Sequence, residues 1–307
     1  MKEILIYGHK NPDTDSIMSA LVMEDLENKM GINKTKACRL GDINKETRFA
    51  LDYFGVKEPE LIEKLEEGQE VILVDHNEAS QSADGRENAK ILKVIDHHKI
   101  ADIKTAEPLF YMAMPVGCTC TILYDLYVMN NIEIESKIAG LMLSAIISDT
   151  LLLKSPTTTI KDKEAVEKLA EIANIDVNKY GLDILKAGTD LSDYTAKELI
   201  NIDSKEANTK GVKYQVSQIN TASIEEVIKN KQDIENAIND FVKENNIDLY
   251  VLMITDIIQN DSQIIVLGEK SEIAEKAFGI RLESNTAFLP GVVSRKKQVV
   301  PVIDKSI

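Results

Sequence analysis

All four histidines of the chain lie within its first third, and each has an aspartate close by in the sequence. The stretches are GHKNPDTDS around His9, VDHNE around His76, and VIDHHK around His97 and His98. Neutral imidazole nitrogens and anionic carboxylate oxygens together suit divalent Mn, Fe, Co or Zn. Such side chains, brought together from separate segments, are what a site for two metal ions needs. The stretches therefore point to metal-assisted hydrolysis.

Each of these stretches follows a short run rich in Ile, Leu and Val: EILIYG, VILVD and ILKVID. Such runs predict buried strands of a parallel sheet. Because α/β proteins bind ligands at the carboxyl ends of parallel strands, we expect the three stretches to meet at one edge of the sheet. Asp75, at the end of VILVD, then has the central position from which one carboxylate can bridge two ions.

Two details of the predicted site concern local geometry. A helix is expected to begin within PDTDS, with Asp15 or Ser16 as its N-cap. His97 and His98 are adjacent, so on an extended backbone their side chains should diverge, and only one of them should join the metal ligands. Asp96 is expected to accept a ring N–H and thereby fix a tautomer.

The elements around these stretches alternate between strand and helix. A strand near KACRL and a helix through ETRFALDYF separate the first two stretches. Two long apolar segments, CTCTILYDLYVMNN and KIAGLMLSAIISDT, are predicted helices, which places Asp149 at the end of a buried helix. The alternation predicts an α/β fold: an N-terminal doubly wound domain with a mainly parallel sheet and right-handed crossovers.

Helical patterns continue through KEAVEKLAEIA and VNKYGLDILKAG until the polar stretch GTDLSDYT breaks the apolar rhythm. We therefore predict a metal-binding domain over 1–187, a hinge linker over 188–195 and a smaller C-terminal α/β domain with a mixed sheet over 196–307. In the last of these we expect a strand in VKYQVSQIN, one long helix in IEEVIKNKQDIENAINDFVKENN, and two paired strands in DLYVLMITDII and SQIIVLGE. The segment LPGVVSRKKQVVPVI is expected to be a closing loop.

Composition excludes several functional classes. The net charge of −15 argues against a nucleic-acid partner, because proteins that track phosphate backbones normally carry a basic face. The start MKEILIYGHK does not resemble a signal peptide, and no uncharged run approaches the roughly 18 residues of a membrane span. A cytoplasmic protein without a membrane partner is therefore expected. The three cysteines are too few for a disulfide framework and are expected to be small core residues.

The chain resembles the manganese-dependent, family II inorganic pyrophosphatases of the DHH phosphoesterase superfamily. The resemblance covers essentially the whole chain, through GHKNPDTDS, VDHNE, DHH, SDT around Asp149, DSKE around Lys205, and SRKKQVVP. The first four stretches are shared with the wider superfamily, whereas SRKKQ is much more specific to the pyrophosphatases. The resemblance implies a hydrolase that splits inorganic pyrophosphate into two phosphates through a metal-bridged hydroxide at a dinuclear Mn²⁺ site.

The resemblance also implies a role for individual residues. It implies a first manganese ion with these ligands: His9, Asp13 and Asp75. It implies a second ion that shares the bridging carboxylate and has these ligands: Asp15, Asp75, His97 and Asp149. The residues expected to bind substrate and take part in catalysis are His98, Lys205, Arg295 and Lys296. Of these, His98 would stay off the metals as a hydrogen-bond donor and candidate general acid, while the three cations would grip the phosphates after the two domains close.

The expected cofactors are two Mn²⁺ ions per subunit, with Co²⁺ as an alternative, and Mg²⁺ that arrives with the substrate. The resemblance further implies a homodimer formed through the N-terminal domain. Other readings stay open at this point. His9, Asp13 and Asp15 alone fit an N-cap cluster, and SRKK alone fits a solvated basic turn. A DHH-type phosphodiesterase acting on short oligonucleotides or cyclic dinucleotides is the alternative enzyme, and an exopolyphosphatase is the other.

Overall fold

The computed structural model describes residues 3–31 and 34–307. It divides into two compact units, Met1–Gly188 and Thr189–Ile307, called unit 1 and unit 2 below. The boundary between the units falls at the end of a helix, and residues 189–195 after it have no regular secondary structure. Across the described ranges, every helix is too short or too polar to cross a membrane.

Unit 1 is built on a six-stranded, all-parallel sheet with the strand order β3-β2-β1-β4-β5-β6. The strands are β1 Ile4–Lys10, β2 Thr35–Leu40, β3 Glu60–Leu61, β4 Glu70–Val74, β5 Lys90–Asp96 and β6 Phe110–Ala113. Because β1 and β4 are central, their inner positions are buried on both faces, which accounts for their continuous apolar runs. The strand order reverses between β1 and β4, and parallel sheets bind ligands at this kind of crevice.

The helices of unit 1 are α1 Thr14–Lys29, α2 Lys45–Tyr53, α3 Thr119–Met129, α4 Ser136–Asp149, α5 Ile160–Ala173 and α6 Val177–Gly188. Helix α1 lies against β1 and β2, and α4 packs on α1 and α5. Gly8 makes the close approach of α1 possible, because a Cβ atom at this position would lie 1.9 Å from the Oγ of Ser16. Both long apolar segments are helices, as predicted, and Asp149 is the last residue of α4.

The N-cap of α1 is Asp13, so the prediction of Asp15 or Ser16 was wrong. Asp13 has an extended backbone, and its Oδ1 accepts the N–H of Ser16 at 3.0 Å. An N-cap carboxylate reaches the amide three residues further on, and Asp13 is the aspartate with a free amide at that spacing. Asp15 instead lies in the first helical turn, fully buried.

Unit 2 contains a five-stranded mixed sheet with the order β11-β10-β9-β8-β7. Its strands are β7 Ser204–Thr209, β8 Val212–Thr221, β9 Leu249–Asp256, β10 Asp261–Leu267 and β11 Thr286–Leu289. Strands β8 and β9 are parallel and the other neighbours are antiparallel. Alternate residues of β9 enter hydrophobic clusters on opposite faces of the sheet: Tyr250 and Leu252 on one, Val251 and Met253 on the other. The predicted mixed sheet is confirmed.

Two element predictions for unit 2 were wrong. The predicted long helix is two helices, α8 Ile224–Ile228 and α9 Lys231–Asn245, because the backbone of Asn230 leaves the helical region. Asparagine competes with helical hydrogen bonds and favours helix starts. The predicted closing loop contains a π-helical turn, Arg295–Val299, followed by α11 Val300–Ser306. Pro301 lies in the first turn of α11, where proline is tolerated, so it does not prevent this helix. Two further helices of unit 2 were not predicted: α7 Ala196–Leu199 and α10 Glu272–Phe278.

A candidate dinuclear metal centre

The first group of metal-ligand side chains contains His9, Asp13 and Asp75. His9 lies near the end of β1, and Asp75 follows β4 with a positive φ of 59°. The Nε2 atom of His9 is 3.5 Å from Oδ2 of Asp13 and 3.4 Å from Oδ2 of Asp75. The Nδ1–H of His9 donates to the carbonyl of Lys10 at 2.8 Å. This bond directs Nε2 toward the two carboxylates.

The second group contains Asp15, His97 and Asp149. His97 follows β5, and its Nε2 lies 3.9 Å from Oδ2 of Asp15 and 3.7 Å from Oδ2 of Asp149. The Nδ1–H of His97 donates to the carbonyl of Val116 at 3.0 Å. As for His9, the main chain fixes the tautomer and leaves Nε2 for a ligand.

Asp75 faces both groups. Its Oδ2 is the oxygen nearest His9, and its Oδ1 lies 3.4 Å from Nε2 of His97. Thr119 donates its hydroxyl to Oδ1 at 3.0 Å, which holds the carboxylate in this orientation. The two oxygens of one buried carboxylate therefore point toward two different imidazoles.

The charges of the centre fit a pair of divalent cations. Burial and the charge of Asp75 raise the pKa of Asp15 to about 6, and burial with the neighbouring carboxylates raises the pKa of Asp149 well above its usual value. Burial opposes protonation of His9 and His97, but hydrogen bonds to the carboxylates outweigh it for each. The pKa of His9 rises to about 11, and Asp75 together with Asp15 raises that of His97 to about 9. Protons now balance a negative charge that metal ions would balance directly.

His98 is oriented by Asp96. Its backbone N–H and ring Nδ1 both donate to Oδ1 of Asp96, at 3.0 and 2.9 Å. The hydrogen bond to Asp96 raises the pKa of His98, although partial burial acts against this. His98 also lies near His97 and Asp75, but with Nδ1 donating to Asp96 that nitrogen is not free to bind a metal. Asp96 therefore fixes a ring tautomer as predicted, and the ring is that of His98.

The rings of His97 and His98 do not diverge as predicted. Their centroids are 4.2 Å apart, with 61° between the ring planes. Strand β5 ends at Asp96, so the extended geometry behind the prediction does not continue through this pair. His98 reaches a cavity of about 360 Å³ that His9 and Asp75 also line.

His76 also lines this cavity, and its described hydrogen bonds join it to a carbonyl and a hydroxyl. Its Nδ1–H donates to the carbonyl of Val74 at 2.9 Å, and its Nε2 accepts from the hydroxyl of Ser82 at 3.1 Å. The hydroxyl of Tyr7 is 3.2 Å from that of Ser82. Burial lowers the pKa of His76 to about 4, which keeps the ring neutral. Both ring nitrogens of His76 therefore already have partners.

The three cysteines are free and buried, as expected. Cys118 and Cys120 come close to Asp15, but burial raises the pKa of both thiols and disfavours the thiolates that bind metals. The carboxylate of Asp15 instead accepts the backbone N–H groups of Thr119 at 2.6 Å and of Cys120 at 3.2 Å. These amides form the start of α3, where a negative charge is stabilised.

Two contributors to the centre were missed from the sequence. Thr119 holds both Asp75 and Asp15, and its place at a helix start was the available signal. Asn77 donates its side-chain amide to Oδ2 of Asp96 at 2.7 Å and accepts the N–H of Ala101 at 2.7 Å. Its position in the stretch VDHNE was the available signal. Its partners, Asp96 and Ala101, lie in a later segment of the chain, so the sequence did not identify them.

The predicted cations of unit 2 have different surroundings. Arg295 is buried, and its Nη2 donates to Oδ1 of Asp203 at 2.7 Å. Within the part of the chain that the structure describes, Nε and Nη1 of this guanidinium have no hydrogen-bond partner. Lys205 lies on β7, and both it and Lys296 are exposed. The ion pair with Asp203 places Arg295 beside the start of β7, but no described contact joins the three cations.

Family models match both parts of the chain. Residues 3–146 match the DHH family, N-terminal domain, and residues 182–306 match the DHHA2 domain. A probable manganese-dependent inorganic pyrophosphatase of Bacillus velezensis is 53% identical over 100% of this chain and 99% of its own length. The manganese-dependent inorganic pyrophosphatase of Bacillus subtilis is 54% identical over 99% of this chain and 98% of its own. The crystal structure of a putative family II inorganic pyrophosphatase from Methanococcus jannaschii is 46% identical, covers 98% of each chain and has a TM-score of 0.61.

Proposed function

The chain belongs to the manganese-dependent, family II inorganic pyrophosphatases, and from this premise we propose that it hydrolyses inorganic pyrophosphate to two phosphates. It is an enzyme of the hydrolase class. The observation that carries the proposal is the placement of Asp75 between two imidazoles, one oxygen toward each.

We propose that His9, Asp13 and Asp75 hold one Mn²⁺. The second would be held by the shared carboxylate of Asp75 and by three further ligands: Asp15, His97 and Asp149. Two divalent ions sharing a ligand lower the pKa of a water molecule between them and supply the nucleophile near neutral pH. Co²⁺ suits the same ligands, and Mg²⁺ would arrive with the substrate.

His98 is proposed to donate a hydrogen bond to a phosphate oxygen and to protonate the leaving phosphate. Two observations support this role. The ring lines the cavity that His9 and Asp75 also line, and its Nδ1 donates to Asp96, so Nε2 is the nitrogen left for substrate. A raised pKa favours the protonated ring that such a donor needs.

Arg295, Lys205 and Lys296 are proposed to bind the phosphates. A buried guanidinium with two unpartnered nitrogens costs free energy unless an acceptor reaches it, and a phosphate offers oxygens that fit its planar fork. Phosphoryl transfer rests mainly on positioning and on stabilising spread negative charge, which is what cations contribute. We further propose that residues 188–195 act as a hinge whose closure completes the site.

We propose that the protein is cytoplasmic and forms a homodimer through unit 1, as the family resemblance implies. An exopolyphosphatase would use the same cations, whereas a dinucleotide phosphodiesterase would need surfaces that stack bases. The chain has no Trp and only 5% aromatic residues, which favours small phosphate substrates.

The decisive experiment measures phosphate release from pyrophosphate, ATP, polyphosphate and a dinucleotide after loading with Mn²⁺ or Mg²⁺. We expect a strong preference for pyrophosphate in the Mn²⁺-loaded protein. Asp183→Asn, on the exposed side of α6, is the control and should behave like the unsubstituted chain. Faster turnover of the dinucleotide or of polyphosphate would overturn the assignment.

A further inference from the structure

Glu46, the second residue of α2, connects helix ends that carry the candidate ligands. Its Oε1 accepts the hydroxyl of Thr14 at 2.7 Å, and the same oxygen accepts the hydroxyl of Ser148. Thr14 stands between Asp13 and Asp15 at the start of α1, and Ser148 directly precedes Asp149 at the end of α4. One carboxylate oxygen therefore ties the start of one helix to the end of another.

The segments that Glu46 connects carry two carboxylates of the second metal-ligand group. The carboxylates of Asp15 and Asp149 both approach Nε2 of His97, at 3.9 and 3.7 Å, so the distance between their helices sets the width of this group. Backbone amides already fix the carboxylates of Asp13 and Asp15, whereas Asp149 directly follows Ser148, whose hydroxyl donates to Glu46. The link through Glu46 thus matters most for the group that contains Asp15 and Asp149.

The other oxygen of Glu46 lies against the end of α6. A Cβ atom added at Gly188 would be 2.6 Å from Oε2 of Glu46, closer than a real contact allows. Gly188 is the last residue of unit 1. The absence of a side chain at this position leaves the carboxylate room to reach both hydroxyls.

We propose that Glu46 is a positioning residue that sets the separation of Asp15 and Asp149 and so tunes the affinity of the second metal position. The inference rests on the proposed function, because it assigns a task within that centre. Partners behind metal ligands typically change metal affinity by about 10- to 100-fold when removed.

The first test is a titration of the full-length protein with Mn²⁺. Electron paramagnetic resonance measures the Mn²⁺ that remains free. Glu46→Ala should keep one ion as tightly as the unsubstituted chain and weaken the other about 10- to 100-fold. Glu46→Gln keeps an acceptor oxygen and should restore both affinities to within about threefold. Glu164→Ala, an exposed carboxylate on α5, is the matched control and should change neither.

Gly188→Ala is a second route to the same effect. Alanine favours the helical backbone of α6, while its methyl group must displace Glu46. It should weaken the same ion as Glu46→Ala, by a smaller factor. Equal weakening of both ions in Glu46→Ala and Glu46→Gln would reveal a general structural role and overturn the inference.

A metal-free measurement separates this inference from the proposed function. If Glu46 couples its two donors, the effects of Thr14→Val and Ser148→Ala on unfolding should be non-additive, and should become additive in a Glu46→Ala background. Additivity in the unsubstituted background overturns the positioning role whatever metal binding shows. Non-additivity in a protein that binds fewer than two ions would instead overturn the dinuclear centre and leave the helix link standing.

Discussion

Unit 1 and unit 2 hold their candidate functional side chains in contrasting ways. In unit 1, the imidazoles of His9 and His97 already contact carboxylates, and protons balance the charge. In unit 2, the guanidinium of Arg295 has one carboxylate partner and two nitrogens without any among the described residues. Unit 1 is therefore arranged to exchange protons for cations, whereas unit 2 is arranged to gain an anion. Substitutions in the two units should change different measured quantities.

The largest effect is expected from Asp75→Asn. The amide removes one charge and one of the two oxygens that face the imidazoles, so several kcal/mol of stabilisation should be lost and turnover should fall by about a thousandfold or more. Mn²⁺ stoichiometry should fall with it, as measured by metal analysis after gel filtration. Full metal content together with full turnover would show that this carboxylate is no bridge.

A smaller effect is expected from Arg295→Lys in unit 2. Lysine keeps the charge but loses the planar fork, and we expect kcat/KM for pyrophosphate to fall by about a hundredfold, as for removal of one oriented donor. Mn²⁺ binding should stay unchanged, which separates this variant from Asp75→Asn. Lys297→Ala, at an exposed neighbouring position, is the control. A loss of metal from Arg295→Lys would break the contrast between the units.

Asp96→Asn tests the orientation of His98. The hydrogen bond that His98 donates to Asp96 is the main reason that the pKa of His98 is raised, so its loss should lower that pKa. A general acid must be protonated, and the alkaline limb of the kcat profile should therefore move to lower pH, with about a tenfold loss near neutral pH. An unmoved limb would assign the proton to another donor.

The smallest effect is calorimetric. Because the pKa values of His9 and His97 are about 11 and 9 without metal, both rings carry an extra proton near pH 7. Loading with Mn²⁺ should release at least about two protons, since metal-bound imidazole is neutral, and the raised pKa of Asp149 adds to the release. Titration in buffers of different ionisation enthalpy gives this number. Phosphate binding to unit 2 should release no protons. An equal proton release on Mn²⁺ binding and on phosphate binding would contradict the contrast between the two units.

The sequence predicted the parts of the centre that depend on strand ends. The apolar runs before His9, Asp75 and His97 mark neighbouring strands, and parallel strands must bring their carboxyl ends together. The α/β class followed from the same alternation of elements, and the two strands of unit 2 that were expected to pair are β9 and β10. Local rules were weaker guides at Asp13, where two other residues also fitted the N-cap position.

Contacts between distant segments could not be read from the sequence. Glu46 meets Thr14 and Ser148 only because α2 packs beside the ends of two other helices. The burial of Arg295 depends on a π-helical turn and on Asp203, neither of which has a periodic signal. Strand β6 and strand β11 were missed because each is only four residues long.

The bonds that orient His9 and His97 end on main-chain carbonyls, those of Lys10 and Val116. Every amino acid supplies a carbonyl, so these two hydrogen bonds do not depend on which side chains stand at positions 10 and 116. The orientation of His98 does depend on a side chain, because its Nδ1 donates to the carboxylate of Asp96. Substitution of Lys10 or Val116 should therefore leave the orientation of the ring intact, whereas substitution of Asp96 should not.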